Sequence, residues 1–149
     1  MNDKVCIDAS LVLTWLLPEQ GSDRIDALFS EWDKKGLRLL SPPLFDAEVT
    51  SVIRQQVYLK KLQPEQGDHV FSVYLRMAIE RVDGQEIYKR AWELAKRFDL
   101  PRTYDMQYLA VAELKDCELW TNDKRLVNSL QGKAPRIKWV GEYDFRRQV

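Results

Sequence analysis

Four carboxylates, Asp8, Glu48, Asp105 and Asp123, stand where separate segments can carry them to one edge of a fold. Asp8 closes the run Lys4-Val5-Cys6-Ile7. Three apolar residues with no polar alternation predict a strand covered on both faces, as in a parallel sheet. Ligands of open α/β sheets bind just beyond the carboxyl ends of strands, so Asp8 is well placed for chemistry. Asp123 follows the apolar run Cys117 to Trp120 in the same way. Asp105 falls in the first turn of a predicted helix, and helix N-termini in such a sheet lie at that same rim. Glu48 shares its side of a predicted helix with Leu44, Phe45 and Val52, at i−4, i−3 and i+4. A carboxylate on an apolar stripe needs a partner, because an unpaired buried charge is costly. Crowded carboxylates repel, and like charges would keep some of them protonated. A divalent cation resolves that conflict. Oxygen ligands without Cys or His suit Mg²⁺ or Mn²⁺. Such an ion can activate water and offset charge on a phosphoryl group, which makes phosphodiester hydrolysis the expected reaction.

Taken singly, each acid has an ordinary explanation. Asp8 could be a solvated strand end, Asp105 a favourable charge in a first helical turn, Asp123 an N-cap and Glu48 a surface glutamate. The weight lies in the convergence, and other acids fail that test. Asp3, Asp116 and Glu118 flank the amino ends of strands, at the opposite edge. Asp46 is about 200° round its helix from Glu48. Asp83 lies at a carboxyl end and is not removed by this geometry.

The elements that must position the four acids can be read along the chain. Ser10 can cap a short helix from Leu11 to about Leu17, ended by Pro18. Asp23 to Lys35 is predicted helical, with Ile25, Leu28, Phe29 and Trp32 on one face, and Gly36 ends it. Leu37 to Leu40 is a short strand. Ser41-Pro42-Pro43 signals a helix start, and that helix runs to about Lys61. Gln63-Pro64 opens another, to about Met77. Ala78 to Val82 is a third strand, closed by Asp83-Gly84. Gln85 to Phe98 is helical. Thr103 can cap a helix from Tyr104 to Lys115. Cys117 to Trp120 is the fourth strand, Asn122 or Asp123 caps a short helix to about Leu130, and Ile137 to Val140 is the fifth strand. Gly141 to Val149 has no assignment. Strands alternating with helices predict one parallel sheet between helical layers.

The bulk numbers suit such a domain. The 149 residues are 45% hydrophobic and 31% charged, enough for one domain with a full core, spanning residues 1–149. Lys plus Arg (23) equals Asp plus Glu (23). There is no basic excess to advertise a polyanion partner, so attraction for nucleic acid must come from local patches or a metal. Cys6 and Cys117 fall in or beside apolar strands and are expected as buried reduced thiols. One histidine, His69, leaves too few ligands for zinc. Val5 to Leu17 is apolar, but Asp8 interrupts it and no positive cluster precedes it, unlike a signal peptide. No run is long enough to span a bilayer. These features predict a cytoplasmic protein.

The ordered set of motifs resembles the PIN-domain ribonucleases, in particular VapC-type toxins of bacterial toxin–antitoxin pairs. The matching pieces are Ile7-Asp8-Ala9-Ser10, Pro43-Leu44 leading to Glu48, Tyr104-Asp105-Met106-Gln107-Tyr108-Leu109-Ala110, and Thr121-Asn122-Asp123-Lys124-Arg125-Leu126. They cover nearly the whole chain in order and spacing. The resemblance implies a three-layer α/β/α sandwich with about five parallel strands in the order 3-2-1-4-5. That order puts the strand before Asp83 on the sheet's edge, which demotes Asp83. It implies that Asp8, Glu48, Asp105 and Asp123 are the catalytic, metal-binding acids and that Ser10 and Thr121 are supporting hydroxyls. It also implies RNA cleavage with Mg²⁺ or Mn²⁺, a homodimer, and silencing by a VapB-type antitoxin. One departure is Ser51, where family members often carry Asn.

Arg102, Lys124 and Arg125 flank the proposed cluster and are candidate phosphate contacts. Val57, Tyr58, Val70, Phe71 and Tyr74 between Pro43 and Met77 exceed what a chain of this length readily buries, so an interface is expected there. Other classes fit less well. A haloacid-dehalogenase-like phosphatase needs a second Asp two positions after the first, where Ser10 stands. A receiver-type phospho-acceptor wants a lysine at the carboxyl end of the last strand, and Lys138 lies inside it. A non-catalytic PIN-fold interaction module remains the alternative, against which the presence of all four acids argues.

Overall fold

The computed structural model describes residues 3–17, 22–130 and 132–143. Its centre is one parallel sheet made of β1 (Lys4–Ile7), β2 (Arg38–Ser41), β3 (Ile79–Arg81), β4 (Leu119–Thr121) and β5 (Ile137–Trp139). The spatial order is β3-β2-β1-β4-β5, and every neighbouring pair is parallel. Helices flank it: α1 (Ala9–Leu16), α2 (Ser22–Lys34), α3 (Leu44–Tyr58), α4 (Pro64–Arg76), α5 (Gln85–Arg97), α6 (Tyr104–Leu114) and α7 (Lys124–Ser129). The predicted α/β/α architecture and strand order are the observed ones.

The uninterrupted apolar run of β1 is explained by its central place. Val5, Cys6 and Ile7 are buried, with β2 on one side and β4 on the other. The chain builds outward from β1 to β3, then returns to lay β4 on the other side. The strand order therefore reverses between β1 and β4, and a crevice opens at the carboxyl ends of strands at such a switch point. Asp8 follows β1 and Asp123 follows β4, so both flank that crevice.

Two expected caps differ from what the fold uses. Asp8, not Ser10, caps the first helix, and its side chain accepts from the Leu11 N–H. Ser41 belongs to β2, is fully buried, and donates its hydroxyl to the Ile7 carbonyl at 2.5 Å. Pro43 takes the cap position of α3 without a side-chain bond. Thr103 does occupy the cap position of α6, yet its side chain makes no capping bond. A hydroxyl near a helix start has several possible uses, and the strand claimed that of Ser41.

Val70 and Tyr74 are buried core residues rather than surplus surface. Tyr58, Phe71 and Leu75 are exposed on the same two helices. Gly67 brings α3 and α4 together, since a Cβ there would stand 2.3 Å from Val57 Cγ2. Both cysteines are buried and free. Of the unassigned tail, Val140–Glu142 form a 3-10 turn, and residues 144–149 lie outside the described residues.

Candidate active centre

Asp8 is buried where β1 hands over to α1. Oδ1 accepts from the Ser10 hydroxyl at 2.7 Å and from the Leu11 N–H at 3.0 Å. Oδ2 accepts from the Thr121 hydroxyl at 2.5 Å. Backbone amides feed these hydroxyls in turn: Asn122 N–H donates to Ser10 Oγ at 3.1 Å and Asp123 N–H to Thr121 Oγ1 at 2.9 Å. Each hydroxyl has one proton, and both are directed to Asp8. The 3.2 Å approach of Ser10 Oγ and Thr121 Oγ1 is thus a contact of two oxygens already committed elsewhere. Such chains of donors polarise one another and fix the carboxylate's orientation. Burial nevertheless pushes the Asp8 pKa from 3.8 up to about 6; the bonds from Thr121, Ser10 and Leu11 oppose the rise, and the charge of Asp105 adds to it.

Glu48 is half-buried on α3 and accepts from the Tyr108 hydroxyl at 2.5 Å. Burial raises its pKa, the Tyr108 bond lowers it, and Asp105 raises it further. The Tyr108 phenol is itself pushed up by burial and by Glu48, so it stays a proton donor. Asp105 begins α6 at the exposed rim. Partial burial of its carboxyl raises the pKa, Asp123 adds to this, and Arg125 opposes it. Asp123 caps α7, accepting from the Arg125 N–H at 3.0 Å.

The four acids come from four segments, and Asp105 senses or is sensed by each of the other three. Among the described residues, no Lys or Arg forms an ion pair with Asp8, Glu48 or Asp105. Nor are any three acidic, Cys or His side chains among them gathered closely enough to hold an ion as they stand. Like charges without a counter-ion are not drawn to a point. The donor set, carboxylates and hydroxyls with no nitrogen or sulfur, fits a hard divalent cation.

Acids that the sequence set aside have other partners. Asp46 pairs with Arg81 at 2.6 Å and accepts from Tyr74. Asp116 pairs with Arg136 at 2.9 Å, and Glu118 accepts from Trp120 Nε1 at 3.1 Å. Asp83 follows the edge strand β3 and accepts from the Gly84 N–H. The candidate cations divide. Lys124 lies 4.8 Å from the Trp139 ring centroid, Arg125 Nε is 3.5 Å from Asp123, and Arg102 is exposed. Ser51 is exposed too.

Sequence reasoning missed Tyr108 and Asn122. Tyr108 carried a usable signal: it is a phenol on the same apolar stripe as Asp105, and a buried phenol needs a partner, as Glu48 did. Asn122 carried none, because its Nδ2 donates to Thr14 Oγ1 at 2.8 Å, a contact made only in the folded chain.

A parallel sheet of this order, with carboxylates at its switch point, defines an α/β/α domain with an acidic centre. Residues 5–129 match the profile of the PIN domain, and the chain belongs to that family. Ribonuclease VapC9 of Mycobacterium tuberculosis is 28% identical over 131 residues, covering 88% of this chain and 94% of its own. A toxin–antitoxin complex from Klebsiella pneumoniae has a chain that superposes with TM-score 0.67 at 15% identity, over 91% of this chain and 97% of that one. VapBC2 from Rickettsia felis, bound to a DNA fragment from their promoter, gives 0.66 at 13% identity, over 91% and 96%.

Proposed function

We propose that this PIN domain is an endoribonuclease that uses Mg²⁺ or Mn²⁺, and that it is the toxin of a toxin–antitoxin pair. The observation that carries the reading is the placement of Asp8, Glu48, Asp105 and Asp123 on four segments, at a strand end or in the first turns of helices, with no Lys or Arg among the described residues ion-paired to Asp8, Glu48 or Asp105. The ribonuclease and toxin–antitoxin relatives support it, and a VapB-type antitoxin and RNA are the corresponding partners. The chain is assigned to the cytoplasm; no helix among its described residues is long and apolar enough to cross a membrane. Residues 1–149 are taken as one domain, since β5, beyond the family match, extends the same sheet.

Asp8, Glu48, Asp105 and Asp123 would hold the ion. When bound, it supplies a water of lowered pKa and positive charge opposite the phosphoryl oxygens. The chain's part is orientation and charge. Ser10 and Thr121 hold both Asp8 oxygens in place, and Tyr108 holds one oxygen of Glu48. Asp105, at the exposed rim, is the acid nearest to solvent and to an incoming strand. Arg102, Lys124 and Arg125 are proposed phosphate contacts; Lys124 and Arg125 would exchange their Trp139 and Asp123 contacts for phosphate.

Incubating wild type and Asp8→Asn with RNA, in Mn²⁺ and in EDTA, tests the reading. Cleavage is expected only for wild type with metal. The variant should lose on the order of 100-fold or more, as when a group stabilising transition-state charge is removed. Full activity of Asp8→Asn, or wild-type cleavage indifferent to EDTA, overturns the assignment. Intact binding of an antitoxin with no cleavage of any RNA would point to the non-catalytic module instead.

A further inference from the structure

A second feature adjoins the acidic rim and plays no part in holding an ion. Where the end of α5 meets the start of α6, a groove of about 290 Å³ is lined by Trp92, Lys96, Asp99, Pro101, Arg102 and Thr103, among others. Trp92 is 60% exposed, an unusual position for the largest apolar side chain. Tyr88, one turn earlier on the same helix face, is 49% exposed. Tyr104, between Thr103 in the groove wall and Asp105, is 56% exposed. One residue, Tyr104, separates the groove wall from the acid, a Cα path of two steps and at most about 7.6 Å.

The charges suit an anion. Arg102 is exposed and, among the described residues, forms no ion pair. Among the described residues Lys96 pairs only with Glu93, at 3.6 Å and well exposed. Asp99 is the one acid in the wall. Exposed aromatic rings beside cations, leading to a reactive centre, are the elements of a single-strand track: bases stack on the rings while cations follow the phosphates. A base-paired duplex hides its base faces and cannot use the rings.

We propose that this groove binds the single-stranded stretch of RNA next to the scissile bond, with a base stacked on Trp92 and a phosphate on Arg102. The proposal rests on the ribonuclease reading for its substrate, but its test does not depend on cleavage. A labelled single-stranded oligoribonucleotide of mixed sequence is titrated in EDTA, with fluorescence anisotropy as the readout. Trp92→Ala should weaken binding by roughly 5- to 100-fold, the usual cost of losing one stacked base. Trp92→Phe should bind close to wild type. Arg102→Ala should lower the slope of log affinity against log salt by about 0.7, as one lost phosphate contact does on a single strand. The same sequence as a duplex should not respond to Trp92→Ala.

Unchanged single-strand affinity in Trp92→Ala overturns the proposal. So does unchanged affinity with an altered sedimentation coefficient, which would make this face a contact between protein chains. If wild type binds through Trp92 yet cleaves nothing with Mn²⁺, the groove stands and the catalytic reading fails. If wild type cleaves and Trp92→Ala binds as wild type does, the reverse holds.

Discussion

Asp8 combines burial, three donors and a pKa near 6, and that combination has a measurable sign. Its folded pKa lies above the ordinary 3.8, so between those values the folded chain holds more protons than the unfolded one. Metal-free stability should therefore fall as pH rises from about 4 to 6 and level off above, with a penalty of about 3 kcal/mol from this group. Chemical denaturation in EDTA should show that fall in wild type and a flatter profile in Asp8→Asn. An identical slope in both would mean the carboxyl is not desolvated as placed. Tyr108 offers a companion test. Tyr108→Phe removes the donor to Glu48 and leaves the ring packed. The expected result is a folded protein whose half-saturating Mn²⁺ for RNA cleavage rises about 10-fold, in the range seen for groups that orient a metal ligand. An unchanged metal requirement would make the Tyr108 bond a packing detail.

At the scale of elements, Gly67 tests how α3 is held. Gly67→Ala would drive its Cβ into Val57, whose Cγ2 would be 2.3 Å away. Thermal melting should show a loss of about 1–3 kcal/mol, the range for overpacking a close contact, and Glu48 should be displaced with α3. A melting temperature equal to wild type would show that α4 yields freely. The elements themselves were largely legible beforehand. β1 and the faces of α2 and α3 follow from apolar patterning, because each must bury a stripe or both faces against the sheet. Starts of elements were less legible. Asp8 and Ser10 both suit a cap; the helix begins at Ala9, so Asp8 caps through the Leu11 N–H while Ser10, already inside the helix, donates to Asp8. Ser41 read as a cap and became a strand residue tied to Ile7. The rim location of all four acids was legible from strand ends and helix starts. The Tyr108–Glu48 bond spans sixty residues, and no local pattern contains it.

At the scale of the whole molecule, neutrality and a single sheet leave two kinds of surface to explain. Tyr58, Phe71 and Leu75 stay exposed on α3 and α4, whereas Val70 and Tyr74 fill the core. The exposed three are the proposed contact with a second copy or an antitoxin. Phe71→Glu should shift sedimentation toward monomer or release the antitoxin, and a variant that assembles as wild type does would remove that face from consideration. The central claim, that four acids from four segments make one metal site, is tested most directly by thermal unfolding of wild type and Asp105→Asn in EDTA and in Mn²⁺. Asp105 is exposed, so its replacement should not disturb the core. A cation that binds the folded chain and not the unfolded one raises stability with its concentration. Wild type should melt higher in Mn²⁺ than in EDTA. Asp105→Asn should melt at or above wild type in EDTA, because one repelling charge is gone, and should gain little from Mn²⁺. A variant that melts several degrees below wild type in EDTA and keeps the full Mn²⁺ gain would contradict the account and leave Asp105 as a charge at a helix start.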